Sequence, residues 1–345
     1  MAKIQKRTPS IHDIAREAKV NISTVSRALD PLKSHLISDK MILKVQKTAE
    51  KLGYRPNIHA QSLRTGRSNL IGLIVPDIKN PLYAEFAHQL KNELSSYKLN
   101  LVIEETNFSI TEEVHLLDKM SEMNVDGAIL ILTSPKMIVK ELKAFEEKVK
   151  GLVLIDHLPD ESFDEVFVNI SQGYLNFFQK ESLSSSFHQK NYLFLGAKIG
   201  NYIHQNASLR ADLIKVYPSM KGSFHFVDSD CHPLEAKNIL HAYLQQAPLP
   251  DCLIVSSDHM LLGAHSALME RGHRIPQDIK VISSDGTYYC DFLFPGITSI
   301  KQPVKEIAIR SSAILHQRIL HGKTAGRQSF CIEPQIVFKK STELL

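Results

Sequence analysis

Apolar residues fall at helical spacing three times in the first 56 positions. Ile11, Ile14, Ala15 and Ala18 lie at i, i+3, i+4 and i+7, one stripe along a short helix. Ser10, followed three residues later by Asp13, has the form of a capping box with Asp in place of the usual Glu. Ile22, Val25 and Leu29 predict a second helix capped by Asn21. Val45, Thr48, Ala49 and Leu52 predict a third, capped by Ser38 and stopped by Gly53 and Pro56. Three short helices with such faces can share one small core. From Leu70 the pattern changes. Apolar runs predict strands at 70–75, 99–104, 128–132, 153–155, 192–195, 252–255 and 280–283. Helical stretches fall at 81–97, 111–123, 171–185, 259–271 and 304–320. This β-α alternation implies parallel sheets with helices on both faces. A body of about 275 residues is too long for one such sheet, so two layers are expected.

Charge separates the head from this body. Residues 1–68 hold 14 Lys and Arg against 5 Asp and Glu, a net +9, while the rest holds 27 against 32, a net −5. A small basic head on a mildly acidic body suits a polyanion, because neutralising phosphates releases counterions. Helix two carries only short polar groups and one cation outward: Ser23, Thr24, Ser26 and Arg27. Small residues let a helix lie deep in a DNA major groove, where an arginine pairs bidentately with guanine. Lys40, Lys44, Lys47 and Lys51 form a second stripe, read as a solvated face. The bland alternative is a generic three-helix bundle with an exposed arginine.

Several classes of protein are disfavoured. No run of 18 apolar residues predicts a membrane span, and Lys3, Lys6 and Arg7 precede no apolar signal segment. Cys231, Cys252, Cys290 and Cys331 are far apart, as free thiols of a reducing cytoplasm would be. GxSxG, HExxH, GxxxxGK[ST] and GxGxxG are absent, so an enzyme is not expected, and no cofactor is implied. Asp228-Ser-Asp-Cys-His232 collects metal-type ligands, but it has no second half and reads as a solvated loop; no metal site is assigned.

Residues 10–66 resemble the head of the LacI/GalR family of bacterial repressors. The stretches that match are Ile11-His-Asp-Ile-Ala-Arg-Glu-Ala18, Thr24-Val-Ser-Arg27, Leu52-Gly-Tyr-Arg-Pro-Asn57 and Ser62-Leu-Arg-Thr-Gly66. The resemblance implies that Ile22, Ser23 and Arg27 face bases while Ser10, Asn21, Thr24, Ser26 and Asn57 hold the DNA backbone. It also implies a hinge helix over 57–63. There Ala60 would let two subunits approach closely, and Leu63 would wedge between base steps in the minor groove. Two departures stand out: Lys19 at a turn where the family favours Gly, and a slightly long segment at 32–36.

The body resembles the same family, whose core is similar to periplasmic sugar-binding proteins. Its marks include Ile71-Gly-Leu-Ile-Val-Pro-Asp77, Asn80-Pro81, Val125-Asp-Gly127, Ser257-Asp258, Gly263-Ala264, Ile275-Pro-Gln-Asp278, Ile297-Thr-Ser-Ile-Lys-Gln-Pro303 and Lys340-Ser-Thr342. The implied fold class is α/β: a three-helix helix-turn-helix domain and hinge helix, then a two-lobed periplasmic-binding-protein-like parallel α/β core. The expected boundaries are 1–56 for the DNA-binding domain, 57–68 for the hinge and 69–345 for the core. Lobe one is placed at about 69–168 and 298–328, lobe two at about 169–297 and 329–345, and three crossovers join them.

In the cleft between the lobes, Asn80, Asp156, Asp285 and Gln302 fall on family positions that bind hydroxylated ligands. Tyr83 would offer a ring face. His157 and Asn206 stand where arginines are common, and Ser257 where Asn is common. Leu82 replaces an aromatic, and Asn169-Ile170 a usual Asp-Asn. Fixed positive charge has been lost, which suits a neutral sugar, polyol or nucleoside better than a phosphate. The expected protein is a cytoplasmic, effector-controlled repressor that binds a palindromic double-stranded DNA operator as a homodimer. The tail after Lys340 has no room for a heptad zipper, so dimer is favoured over tetramer. The rival readings are a cytoplasmic solute-binding protein and a regulator whose cleft no longer binds ligand.

Overall fold

The computed structural model describes residues 9–29, 34–54, 66–155, 163–181, 190–197, 211–212, 215, 224–322 and 326–342. The chain divides into two compact units, Met1–Ser68 and Asn69–Leu345.

The head contains α1 (Ile11–Ala18), α2 (Ile22–Ala28) and α3 (Asp39–Leu52). Its core is Ile14, Ala15, Val25, Ala28, Val45 and Ala49, flanked by Ile11, Val20, Leu29, Ile37, Leu52 and Tyr54. The capping box is present in both directions. The Asp13 amide donates to Ser10 Oγ at 3.4 Å, and the Ser10 amide donates to Asp13 Oδ2 at 2.9 Å. Lys19 closes α1 in the left-handed region, at φ +50° and ψ +52°. A side chain there costs roughly 1 kcal/mol relative to Gly. Two expected caps differ from the reading above. Asn21 and Ser38 occupy the cap positions, but neither side chain bonds a helix amide. The carbonyl of Asn21 instead accepts from Thr24 and Val25.

The body holds two six-stranded sheets. The first contains β1 (Leu70–Val75), β2 (Asn100–Glu105), β3 (Gly127–Leu130), β4 (Gly151–Leu154), β5 (Asp164–Val168) and, out of chain order, β11 (Ser329–Ile332). Its spatial order is β11-β5-β4-β3-β1-β2, all parallel. The second contains β6 (Tyr192–Ala197), β7 (Phe224–Ser229), β8 (Cys252–Val255), β9 (Lys280–Asp285), β10 (Thr298–Lys301) and β12 (Gln335–Val337). Its order is β12-β10-β9-β8-β6-β7, and only the β10–β12 pair is antiparallel.

Helices cover both faces. In lobe one these are α4 (Pro81–Ser96), α5 (Ile110–Glu122), α6 (Val139–Lys148) and, later in the chain, α11 (Val304–His321). In lobe two they are α7 (Ile170–Glu181), α8 (Pro233–Gln246), α9 (Asp258–Glu270) and the short α10 (Tyr289–Phe292). Each sheet has two buried apolar clusters. Helix α8 approaches α9 closely: a Cβ on Gly263 would lie 1.7 Å from the Pro233 carbonyl oxygen. Only a residue without a side chain fits there.

Strand pairing corrects the expected lobe boundaries. Residues 298–301 belong to lobe two, since Thr298 pairs with Ile282, and residues 329–332 belong to lobe one, since Ser329 pairs with Glu165. The chain therefore crosses after β5, between β10 and α11, and between β11 and β12. Register with a distant strand makes this choice, and a short apolar run carries no record of its partner. The 228–232 run is only in part a solvated loop: Asp228 and His232 are exposed. Ser229 and Cys231 are buried, and His232 caps α8, its Nδ1 accepting from the Leu234 amide at 3.3 Å. Among the described residues, no helix is long and apolar enough to cross a membrane.

Candidate DNA-binding face and effector cleft

In the head, burial of Val25 and Ala28 sets the outward face of α2. Asn21, Ile22, Ser23 and Arg27 are exposed, while Thr24 and Ser26 are half-buried. Ile22 counted above as part of an apolar stripe, but 41% of it is exposed. It belongs to the outward face with Ser23 and Arg27. Ser10 sits at the start of α1 with its hydroxyl donating to Asp13 Oδ2 at 2.7 Å, so its first role is structural. Lys51 pairs with Glu17 at 2.8 Å, whereas Lys40, Lys44 and Lys47 are exposed. Asn57, Ala60 and Leu63 lie outside the described residues.

In the body, the strand ends and the 302–304 crossover bring together Asp285, Gln302 and Ser257. Gln302 Nε2 donates to Asp285 Oδ1 at 2.9 Å, and the Gln302 amide donates to the Asp285 carbonyl at 2.9 Å. Asp285 Oδ2 accepts from the Asp258 amide at 3.0 Å. Ser257 caps α9, its Oγ accepting from the His259 amide at 3.2 Å, and its hydroxyl also stabilises the Asp285 carboxylate. Asp285 holds φ +80°, a strained conformation for any residue but Gly.

Beside it, sequence reasoning missed a second carboxylate. Asp258 is wholly buried and accepts from Ser283 Oγ at 2.5 Å, the Thr287 amide at 2.6 Å and Thr287 Oγ1 at 2.8 Å. Burial, then the neighbouring Asp258 charge, pushes the Asp285 carboxyl up to about 7. Burial likewise raises Asp258, against the hydroxyl and amide donors that lower it. Such a pair accepts a proton readily and repels anions. The Ser257-Asp258 dipeptide directly after an apolar strand was the available signal, but nothing in it announces a partner 27 residues on.

Lobe one contributes Asn80 and Tyr83. Asn80 caps α4, its Oδ1 accepting from the Leu82 amide at 3.0 Å, and is buried. Tyr83 does not present an open ring face: it is 4% exposed and packs in the lobe-one core. Asp156, His157 and Asn206 lie outside the described residues. A groove of about 1120 Å³ runs beside Asp285 and Gln302, with Lys79, Glu85, Asp291, Lys305, Glu306 and Arg310 on its rim. Among the described residues, no group of His, Cys, Asp and Glu is arranged to hold a metal ion.

Two α/β lobes joined by three crossovers, preceded in the chain by a basic helix-turn-helix head, are the parts of a ligand-responsive DNA-binding regulator. Comparison with known proteins agrees at both ends of the chain. Residues 10–57 match the family of bacterial regulatory proteins, lacI family, and residues 224–342 match the periplasmic binding protein-like domain. The chain is 27% identical over 338 residues to the catabolite control protein A of Priestia megaterium, covering 97% of this chain and 99% of that protein. It is 28% identical over 335 residues to the ribose operon repressor of Halalkalibacterium halodurans, covering 97% of each. Among solved structures, the lac repressor dimer bound to operator and the anti-inducer ONPF superposes with a TM-score of 0.78 at 21% identity, over 97% of this chain and 99% of that one. Residues 10–57 thus match a lacI-family head, and the chain is similar over nearly its whole length to transcription regulators.

Proposed function

We propose that this chain is a cytoplasmic repressor that reads a palindromic operator as a homodimer and releases or tightens it on binding a neutral polyhydroxy effector. The observation that carries the DNA-binding part is the outward face of α2. It offers Ile22, Ser23 and Arg27 to a major groove, while Val25 and Ala28 hold the helix on the head. Asn21, Thr24 and Ser26 flank that face on α2 and Ser10 caps α1; all four are assigned to phosphate contacts that set register. Two heads on a dimer would place two recognition helices one turn of DNA apart. Asn57, Ala60 and Leu63 are assigned to the hinge, with the Leu63 pair wedging the central base step.

The effector reading rests on Asp285 and Gln302, held together at the crossover between lobes, with Asn80 at the cap of α4 and Ser257 at the cap of α9. Asp156, His157 and Asn206 complete the proposed lining. Carboxylates and amides suit sugar hydroxyls, and the Asp285–Asp258 pair repels a phosphate. Names among the relatives support the class: one is a ribose operon repressor.

Selection of random duplexes with purified full-length protein at moderate salt tests this function. Enrichment of a palindrome with a flexible central step is expected. No enriched sequence, with or without added metabolite extract, refutes specific DNA recognition. Calorimetry then separates effectors: binding of a sugar phosphate but not its neutral parent would overturn the neutral-ligand assignment.

A further inference from the structure

Strands β1 and β2 run parallel with Val75 opposite Glu105, so the loops that follow them leave the same end of adjacent strands. The first loop carries Asp77, the second Asn107 and Phe108. Asn107 and Phe108 both hold positive φ, +49° and +60°. Successive left-handed residues that are not Gly are strained and persist only where the surroundings impose them. Here the consequence is that Phe108 leaves its own lobe. Half-buried, it packs against the lobe-two apolar cluster that includes Leu195, Cys231, Val255 and Met260.

A polar contact crosses the same gap. Asp77 Oδ2 lies 3.8 Å from Nε2 of His259, in the first turn of α9. The His232 ring, at the cap of α8, stands edge-on to His259 with centroids 6.2 Å apart. Nδ1 of His259 is buried with no partner among the described residues. Cys231 ties the two contacts together. It belongs to the cluster on which Phe108 packs, and burial, then the carboxylates of Asp285, Asp230 and Asp77, push its thiol up to about 12.

We infer that Phe108 and the Asp77–His259 contact form a latch across the effector cleft, which holds the two lobes together before any effector binds. The apolar knob supplies most of the holding force, because its burial is lost when the lobes part. The polar pair sets where the lobes meet. Effector control then acts against a built-in closing bias, and the strength of this bias scales the apparent effector affinity. This inference rests on the regulator reading above for its purpose, but not for its geometry.

Hydrogen exchange on the full-length chain, free of DNA and effector, tests it. In Phe108→Ala, amides of 77–80 and 106–110 in lobe one and of 229–236 and 256–260 in lobe two should exchange faster together. A rise of about tenfold is expected, in line with partial loss of one aromatic burial. Phe108→Leu, which keeps an apolar knob, should recover most of the protection. Asn107→Gly relieves strain without removing the ring and should leave exchange at or below the native rate. Faster exchange confined to 106–110 would overturn the latch. So would a uniform rise across both lobes that tracks a loss of global stability, since Phe108 would then be ordinary core packing. A negative result removes the latch and leaves operator recognition untouched. A failed operator selection with a positive exchange result would leave a latched binding protein that does not read DNA.

Discussion

The two lobes share a fold but treat most of their buried charge differently. Lobe one pairs it with cations, except for Glu113, which is buried and held by the Thr133 amide. Arg318 meets Asp164 through two bonds of 2.7 Å with both side chains buried, and donates a further 2.7 Å bond to the Gly326 carbonyl. Arg327 grips Glu146 at 2.6 and 2.7 Å, and Lys150 meets Asp126 at 2.7 Å. Lobe two buries two carboxylates beside each other and satisfies them with amides, hydroxyls and Gln302. A cation locks a carboxylate in its charged form, whereas neutral donors leave its protonation open to the surroundings. Lobe one is therefore built to stay as it is. Lobe two keeps an adjustable group where the chain crosses between lobes.

The largest test is to break the paired side. Arg318→Ala leaves Asp164 buried without its cation and should cost about 3–5 kcal/mol. Denaturant unfolding of the body measures it, and a loss under about 1 kcal/mol would mean that lobe one does not depend on pairing.

The unpaired side predicts a pH slope. Folded Asp285 keeps its proton up to about pH 7. The unfolded chain gives that proton up near pH 4, so the stability it lends is full below about pH 4 and lost as pH rises to about 7, up to about 4 kcal/mol in all. Unfolding midpoints across that range should fall with rising pH, and Asp285→Asn should flatten the fall. A native curve without this slope would erase the contrast between the lobes.

The head sharpens the contrast from outside. The Arg27 side chain is exposed on the outward face of α2. Arg27→Ala should leave thermal stability unchanged, cost about 1–3 kcal/mol of operator affinity and relax one base position. A uniform loss over all DNA sequences would mark it as a phosphate contact. Smallest is Ser10→Ala, which removes one side of the capping box and should cost about 1 kcal/mol of head stability. Thermal melting of the full chain, followed at the head, measures it.

Local features were legible in the sequence because short-range physics makes them. The α1 stripe and its Ser10–Asp13 box appear as read, and strand runs such as 70–75 and 252–255 coincide with β1 and β8. The caps at Asn21 and Ser38 did not follow, since composition places a residue at a helix start without committing its side chain. The pairing of Asp285 with Gln302 was legible only through resemblance to a family. Asp258 showed only as half of the Ser257-Asp258 dipeptide, and His259 and Phe108 carried no signal, because each acquires its meaning from a neighbour in another segment.

The sequence by itself determined the element types, the polar outward residues of α2, the basic head and the kind of core each layer needs. Periodicity and charge suffice there, since they act within a few residues. Tertiary structure alone decided which strands share a sheet, which lobe owns 298–301 and 329–332, and that two carboxylates meet in the dark beside the crossover. It also carried Phe108 across to the other lobe's core. Those outcomes depend on register and burial between distant segments, where the energy of a contact exists only once both partners have arrived.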